Sequence, residues 1–415
     1  MKSSFNLRKS EFAQVLAAGA LLSMIVGLFL SRAGLSVSIG LFFLSAPLRL
    51  GWRNWLHQSG KDPLVWIFGM AWLLPAVSGI WSQDLKACMD VVRIKLPLLL
   101  LPLGWVGWSL TKKQYAWFGW TLSALVFMAS IYSLLPWMQD AFSVKDAYRS
   151  GGSLPTLLEN DRVRFSWLVV AGCWWLQGQW SEVTRLQRGI MACLILFFVF
   201  YLHVLAVRIG LVCFYMLAGF SLIRQLANPV HRRWSVVALV VLAALPFLLY
   251  FSLPTFRARI DYIRYDWSYT FQGKYLPGGN DAIRVQSLQA AGELIRKHPV
   301  YGVGFGDIRF AMDAAYDRLN PNLSESERIY PANEWAVYGV GLGWIGWIAC
   351  SIGMFALFFI RTEDPFRWRS WVLATILTLV TDIGLEVQYG VFLVPFLLLF
   401  FRNSPHRVKN QEIRG

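Results

Sequence analysis

The chain has 415 residues, of which 56% are hydrophobic and 15% charged, with 21 Trp and 29 Phe. A soluble domain cannot hide that much apolar surface, whereas a bilayer can. The net charge of +15 does not call for nucleic acid, because the surplus lies in short loops between apolar segments, where Lys and Arg face anionic membrane lipids.

A spanning helix needs about 20 apolar residues. In chain order such segments fall at 12–30, 34–50, 63–82, 95–110, 115–137, 164–180, 189–207, 209–228, 234–252, 335–360, 369–387 and 388–402. They predict an all-α polytopic membrane protein with about twelve transmembrane helices; short or closely spaced segments leave room for ten or eleven. The first segment is too long for the apolar part of a signal peptide and runs straight into a second, so it reads as a retained helix. Loop charge sets the orientation. With the N-terminus in the cytoplasm, Lys2, Arg8, Lys9, Arg49, Arg53, Lys61, Lys112, Lys113, Arg185, Arg188, Arg232, Arg233, Arg361, Arg367 and Arg369 share one side with the tail residues Arg402, Arg407, Lys409 and Arg414. Nearly all long-loop carboxylates fall on the other. The expected division is 1–251 with nine helices, 252–334 as a large extracytoplasmic helical loop, and 335–415 with three helices and a cytoplasmic tail. Cys88, Cys173, Cys193, Cys213 and Cys350 are scattered, mostly in spans, and read as packing residues.

Two outside segments exceed a turn, at 139–162 and 252–334. Within the second, Val285, Leu288, Ala291 and Ile295 form one stripe of a helix over Asp281–His298. Ile308, Met312, Ala315 and Leu319 do the same over Asp307–Leu319, with Asp313 and Asp317 off the stripe. Between them, Pro299-Val300-Tyr301-Gly302-Val303-Gly304-Phe305-Gly306 reads either as a tight turn or as a phosphate cradle at a helix start, with Gly304 and Gly306 at the ligand. The G-x-G-x-G spacing with no preceding strand excludes a dinucleotide fingerprint.

Several cations stand at the outer level of the spans. Arg at mid-bilayer costs roughly 2.5–3.5 kcal/mol on insertion scales. Arg208, between Val207 and Ile209, reads as a snorkelling residue or as an anion ligand facing a cavity. Lys95, Arg162 and Arg164 fall at the same level and together would form a cationic ring. Asp382 and Glu386, at i and i+4 in the eleventh segment, would share a helix face and bind sugar hydroxyls or pair with an outer Arg.

Four short elements occur in order. Arg208 is followed by Ile209-Gly210; Arg284-Val285-Gln286-Ser287-Leu288 gives Arg-x-x-x-Leu; Pro299 to Gly306 gives Pro-x-x-Gly-x-Gly-x-Gly; Asn333 precedes Gly343-x-x-Gly346 by nine intervening residues. The ordered set resembles the O-antigen ligase and polymerase superfamily, the Wzy_C type of polytopic membrane glycosyltransferase, and most of all the ligases. The hydropathy resemblance covers the whole chain, the motifs only its second half. It implies a GT-C-like fold in the bacterial inner membrane, an active site facing the periplasm, a donor glycan on undecaprenyl diphosphate, and lipid A–core or another glycan as acceptor, with no cofactor or metal. Arg208 and Arg284 would hold the diphosphate, Lys95, Arg162 and Arg164 would assist, and Asn333 and Glu334 would line the substrate site. The family's His, the expected general base, is Ala332 here. Loss of a general base costs about 10²–10⁴-fold, and with all flanking motif residues intact the chain reads as a slow or inactive His-to-Ala variant. Polymerase, protein glycosylation, or transport of a lipid-linked sugar are the alternatives; against transport, the two halves show no internal repeat.

Overall fold

The computed structural model describes residues 2–159, 161–272 and 279–404, and every regular element among them is helical. The tail cations Arg407, Lys409 and Arg414 lie outside the described residues, as do the side chains of Lys2, Arg8 and Lys9. In chain order the helices are α1 (Lys2–Leu30), α2 (Arg32–Leu50), α3 (Trp52–Ser59), α4 (Pro63–Ser78), α5 (Leu85–Ile94), α6 (Leu96–Trp105), α7 (Lys112–Gln139), α8 (Ala141–Arg149) and α9 (Arg162–Gln179). Then follow α10 (Arg185–Leu205), α11 (Arg208–Leu226), α12 (Arg232–Ser252), α13 (Pro254–Phe271), α14 (Asn280–Lys297), α15 (Ile308–Leu319), α16 (Glu334–Ala356), α17 (Pro365–Thr381) and α18 (Gln388–Arg402).

The protein is an all-α polytopic membrane protein, but the spans differ from those expected. Among the described residues seven helices are long and apolar enough to cross a membrane: α1, α2, α7, α10, α11, α12 and α16. The other five of the twelve expected segments are shorter or less apolar, for physical reasons that differ. The 95–110 segment is only the ten-residue α6, about 15 Å at 1.5 Å per residue; Lys95 ends α5 and Pro97 opens a new helix. α9 and α18 are core helices. Phe165 to Leu176 and Tyr389 to Phe400 are buried without interruption; a helix apolar on all sides suits a protein core as well as lipid, and here the neighbouring helices cover it. α12 is the opposite case, with Val236, Val237, Val240, Val241, Phe247 and Leu248 exposed for lipid.

α9 packs against α7, α10, α11 and α18, and α18 also meets α6 and α17. Trp167 of α9 stacks on Trp371 of α17 with centroids 5.3 Å apart. α10 turns directly into α11, with Ala206 in the left-handed region at φ 51°. Over that turn lie two helices absent from the sequence expectation, α8 and α13, which pack on each other. Tyr148 of α8 reaches down to donate to the Val204 carbonyl at 2.9 Å.

α14 and α15 sit where the amphipathic stripes were expected, with shifted faces. α14 buries Ser287, Ala290, Ala291 and Leu294 and leaves Leu288 exposed, because its partners are α15 and α16. In α15 Tyr316 is buried and Leu319 exposed. The Pro299–Gly306 segment docks on a break in α16, where Gly343 has φ 63° and ψ −152°. Val303 N–H donates to Val340 O at 2.9 Å, Gly304 N–H to Gly341 O at 2.9 Å, and Trp344 N–H to Pro299 O at 2.7 Å. Gly302, with φ 64°, permits this approach, since a Cβ there would overlap the Gly341 carbonyl carbon.

Candidate active site

The segment Arg328 to Ala332 enters the site under restraint from α14 and α15. Tyr316 donates to Ile329 O at 2.8 Å, Ser287 to Tyr330 O at 3.1 Å, and Arg309 to Arg328 O at 2.9 Å. Asn333 then caps α16, its side-chain oxygen accepting from Ala336 N at 2.8 Å, which satisfies one of the free amides at a helix start. Ala332 is thereby fixed and buried.

Arg284 reaches this segment from α14. Its guanidinium lies 3.5 Å from Ala332 O and 3.5 Å from Asp382 Oδ1, and also donates to Thr381 O. Asp382 receives Arg164 on its other oxygen at 2.9 Å, and Arg164 further donates to Ile383 O and approaches Asp161 at 3.4 Å. One carboxylate thus bridges two arginines beside Ala332. Arg164 is nearly enclosed, and its Nε has no hydrogen-bond partner among the described residues; Arg284 is the more open of the two.

Arg208, the first residue of α11, forms a bidentate pair with Asp281 at 2.7 and 2.6 Å and keeps 39% of its side chain exposed. Asp281 N–H in turn donates to Asp266 Oδ2 at 2.9 Å. Nearby, Arg259 lies over the Tyr262 ring and approaches the Gly151 and Gly152 carbonyls at 3.3 and 3.4 Å. Burial first, and then the charges of Arg162 and Arg208, hold the Arg259 guanidinium below its ordinary range. Arg162 also feels Arg284 and Arg208. The cations at this end therefore repel one another, a field that favours an anion.

Lys95 and Glu334 lie elsewhere from this open cluster. Both are fully buried. Lys95 Nζ pairs with Glu386 and stands 4.0 Å from Glu334 Oε1. The expected ring of free cations is thus replaced by two groups: Arg162, Arg164, Arg208 and Arg284 around Asp382 and Asp281, and Lys95 enclosed with two carboxylates. Gly304 and Gly306 belong to neither. Gly304 N–H is bonded to Gly341 O, and Gly306 N–H to Ser82 Oγ at 3.3 Å. With those amides occupied, the pair serves packing, and an anion cradle has no donors there.

Two carboxylates change their reading. Asp382 and Glu386 do not share a helix face, because α17 ends at Thr381 and Asp382 is extended. Asp382 turns to the arginines and Glu386 to Lys95. Gly384 two residues on was the available signal, since glycine commonly follows a helix end. Asp281 as partner of Arg208 had no local signal, being 73 residues away. Burial and the negative Glu386 and Glu334 push the Tyr330 phenol well above its usual range, so that side chain stays protonated near the site.

Beside α6, an apolar cavity of about 430 Å³ is lined by Leu35, Ile39, Leu96, Pro97, Leu100 and Phe392, with Arg93 and Gln388 among its polar members.

No curated protein matches the chain. Residues 190–351, which hold Arg208, Arg284, Ala332, Asn333, Gly343 and Gly346, match the model of the Wzy_C family, O-antigen ligase, and that part of the chain carries the family's domain.

Proposed function

We propose that this membrane glycosyltransferase of the O-antigen ligase and polymerase type is a ligase. It would move a finished glycan from undecaprenyl diphosphate to lipid A–core at the periplasmic face of the bacterial inner membrane. The observation that carries this reading is Arg284 held between Asp382 and the backbone of Ala332: a guanidinium stands directly beside the position where the resemblance puts the base.

In this reading Arg284 and Arg208 bind the diphosphate, with Arg162 and Arg164 supplying further positive charge. Arg suits the task because it stays charged and donates bidentate hydrogen bonds to phosphate oxygens. Asp382 and Asp281 orient the guanidinium groups while leaving N–H donors free. The prenyl tail extends toward apolar surface such as the cavity beside α6. The acceptor hydroxyl attacks the anomeric carbon, its proton passes to the base, the carbon–oxygen bond to phosphate breaks, and undecaprenyl diphosphate leaves. Charge grows on the leaving phosphate, so preoriented arginines stabilise the transition state more than the ground state. Asn333 is the cap that sets the backbone at 332. Glu334, sealed against Lys95 and the Leu385 amide, does not replace the missing base.

The test compares the chain with its Ala332→His version in lipid, supplied with an undecaprenyl-diphosphate glycan and lipid A–core and followed by gel shift. The His version is expected to transfer glycan about 10²–10⁴-fold faster. Longer lipid-linked glycan without transfer to the core would move the assignment to polymerase. No product from either version with the native donor and acceptor would discard the transferase reading.

A further inference from the structure

Lys95, Glu334 and Glu386 form a sealed group that the transfer step does not touch. Lys95 has no exposed surface, nor has Glu334, and Glu386 keeps 6% of its side chain exposed. The ammonium lies between the two carboxylates, 5.3 Å from the Phe305 ring centre and 4.9 Å from that of Tyr338. Tyr338 is itself fixed, its hydroxyl donating to Ala71 O at 2.7 Å. Three places distant in sequence are thereby joined: the junction of α5 and α6, the first residue of α16, and the turn between α17 and α18.

That turn has no regular structure of its own from Asp382 to Val387. It is held from behind twice, by Lys95 on Glu386 and by Glu334 Oε2, which accepts from Leu385 N at 2.9 Å. From its front it presents Asp382 to Arg164 and Arg284, and Ile383 O to Arg164. The back of the turn is therefore tied to α16 and α5, while its front sets the arginine beside Ala332.

We propose that Lys95, Glu334 and Glu386 are positioning residues, a buried ionic clamp that fixes the Asp382–Val387 turn so that Asp382 aims Arg284 at the diphosphate. The proposal rests on the donor reading given above for Arg284. Removing the ammonium leaves two buried carboxylates facing each other without a counter-charge, which frees the turn rather than merely weakening it. No bond to substrate is assigned to any of the three.

The experiment uses the full chain carrying Ala332→His in lipid nanodiscs, with Lys95→Met added alone and together with Glu386→Gln. The pair keeps the net charge of the enclosed group, so it serves where the single change fails to fold. Hydrogen exchange is followed in peptides covering residues 382–388, and kcat and KM are measured for the undecaprenyl-diphosphate glycan. Exchange at the Leu385 amide is expected to rise at least about tenfold, with the interiors of α16 and α18 unchanged. The kcat is expected to fall about 30-fold with KM within about twofold, because alignment is lost while binding through Arg208 and the tail remains. Unchanged exchange in the turn overturns the clamp. Faster exchange with unchanged kcat overturns the positioning role, leaving a structural one. If the Ala332→His chain with Lys95 intact transfers nothing, the transferase reading fails, and exchange in the turn still decides whether the clamp exists.

Discussion

Arginine meets carboxylate at both ends of the helical bundle, to different effect. At one end Arg402 pairs with Asp62 at 2.6 Å and Arg224 with Asp364 at 3.0 Å. Each of these two guanidinium groups has its own acid. At the other end Arg164 and Arg284 share Asp382, Arg208 takes Asp281, and Arg162 and Arg259 show no ion pair among the described residues. Those two pairs are neutral in themselves. The second leaves more guanidinium groups than acids around a buried backbone segment, which is the feature the proposed diphosphate site rests on. Arginines can thus serve as staples or, in the proposed reading, as a receptor, and the ratio of carboxylates to guanidinium groups separates these two sets, one acid to each arginine against fewer acids than arginines.

The sharpest way to break this comparison is at Arg284. In the Ala332→His background, Arg284→Met is expected to lower kcat for glycan transfer by about 10²–10³-fold, read in the gel-shift assay. An unchanged rate would remove the receptor reading of that end. Next in size is Gly302→Ala. A left-handed non-glycine residue costs about 1–3 kcal/mol, and the new Cβ would also strike the Gly341 backbone. Thermal unfolding in lipid should show a clear fall in Tm, and none is expected if the segment can shift off α16. At the opposite end, Arg402→Gln should cost under about 1 kcal/mol and leave transfer unaltered; a large loss of activity there would erase the distinction between the ends.

The smallest expected effect concerns Asp266. Burial first, and the neighbouring Asp281 charge, raise its carboxyl above the ordinary 3.8, although the Asp281 N–H bond acts the other way. A carboxyl raised in the folded state loses stability on ionising. Unfolding free energy should therefore decline as pH climbs from about 3.8 through the raised value, then level off. Asp266→Asn should flatten that part of the curve, measured by thermal melts across it.

Much of the helix layout was legible because apolar run length reports spans that face lipid. α2, α7, α10, α11 and α12 begin and end within a few residues of their expected segments. α6, α9 and α18 read as spans because the same apolar signal arises from burial in protein, and run length alone does not separate the two. α8 and α13 carry many polar residues, and α8 has only nine residues, so apolar run length did not mark them. At the site, the residues on ordered motifs could be named, but their carboxylate partners could not. Asp382 meets Arg164 across 218 residues, and pairings of that range leave no periodic trace in a single sequence. Spacing even misled at Asp382 and Glu386, where i and i+4 implies one face only if the helix continues.

The break in α16 ties the loop to the membrane part by main-chain atoms. Val340 and Gly341 carbonyls freed at the bend are taken up by Val303 and Gly304, and in surroundings poor in water an unmatched carbonyl is costly. Lifting the Pro299–Gly306 segment would strand both at once, so this part of the roof is a welded seam and not a hinged door. In the proposed reading, a lipid-borne substrate therefore has no entry under this particular segment. With Gly302 in place, the seam is written in backbone and does not depend on which side chains stand at 303 and 340.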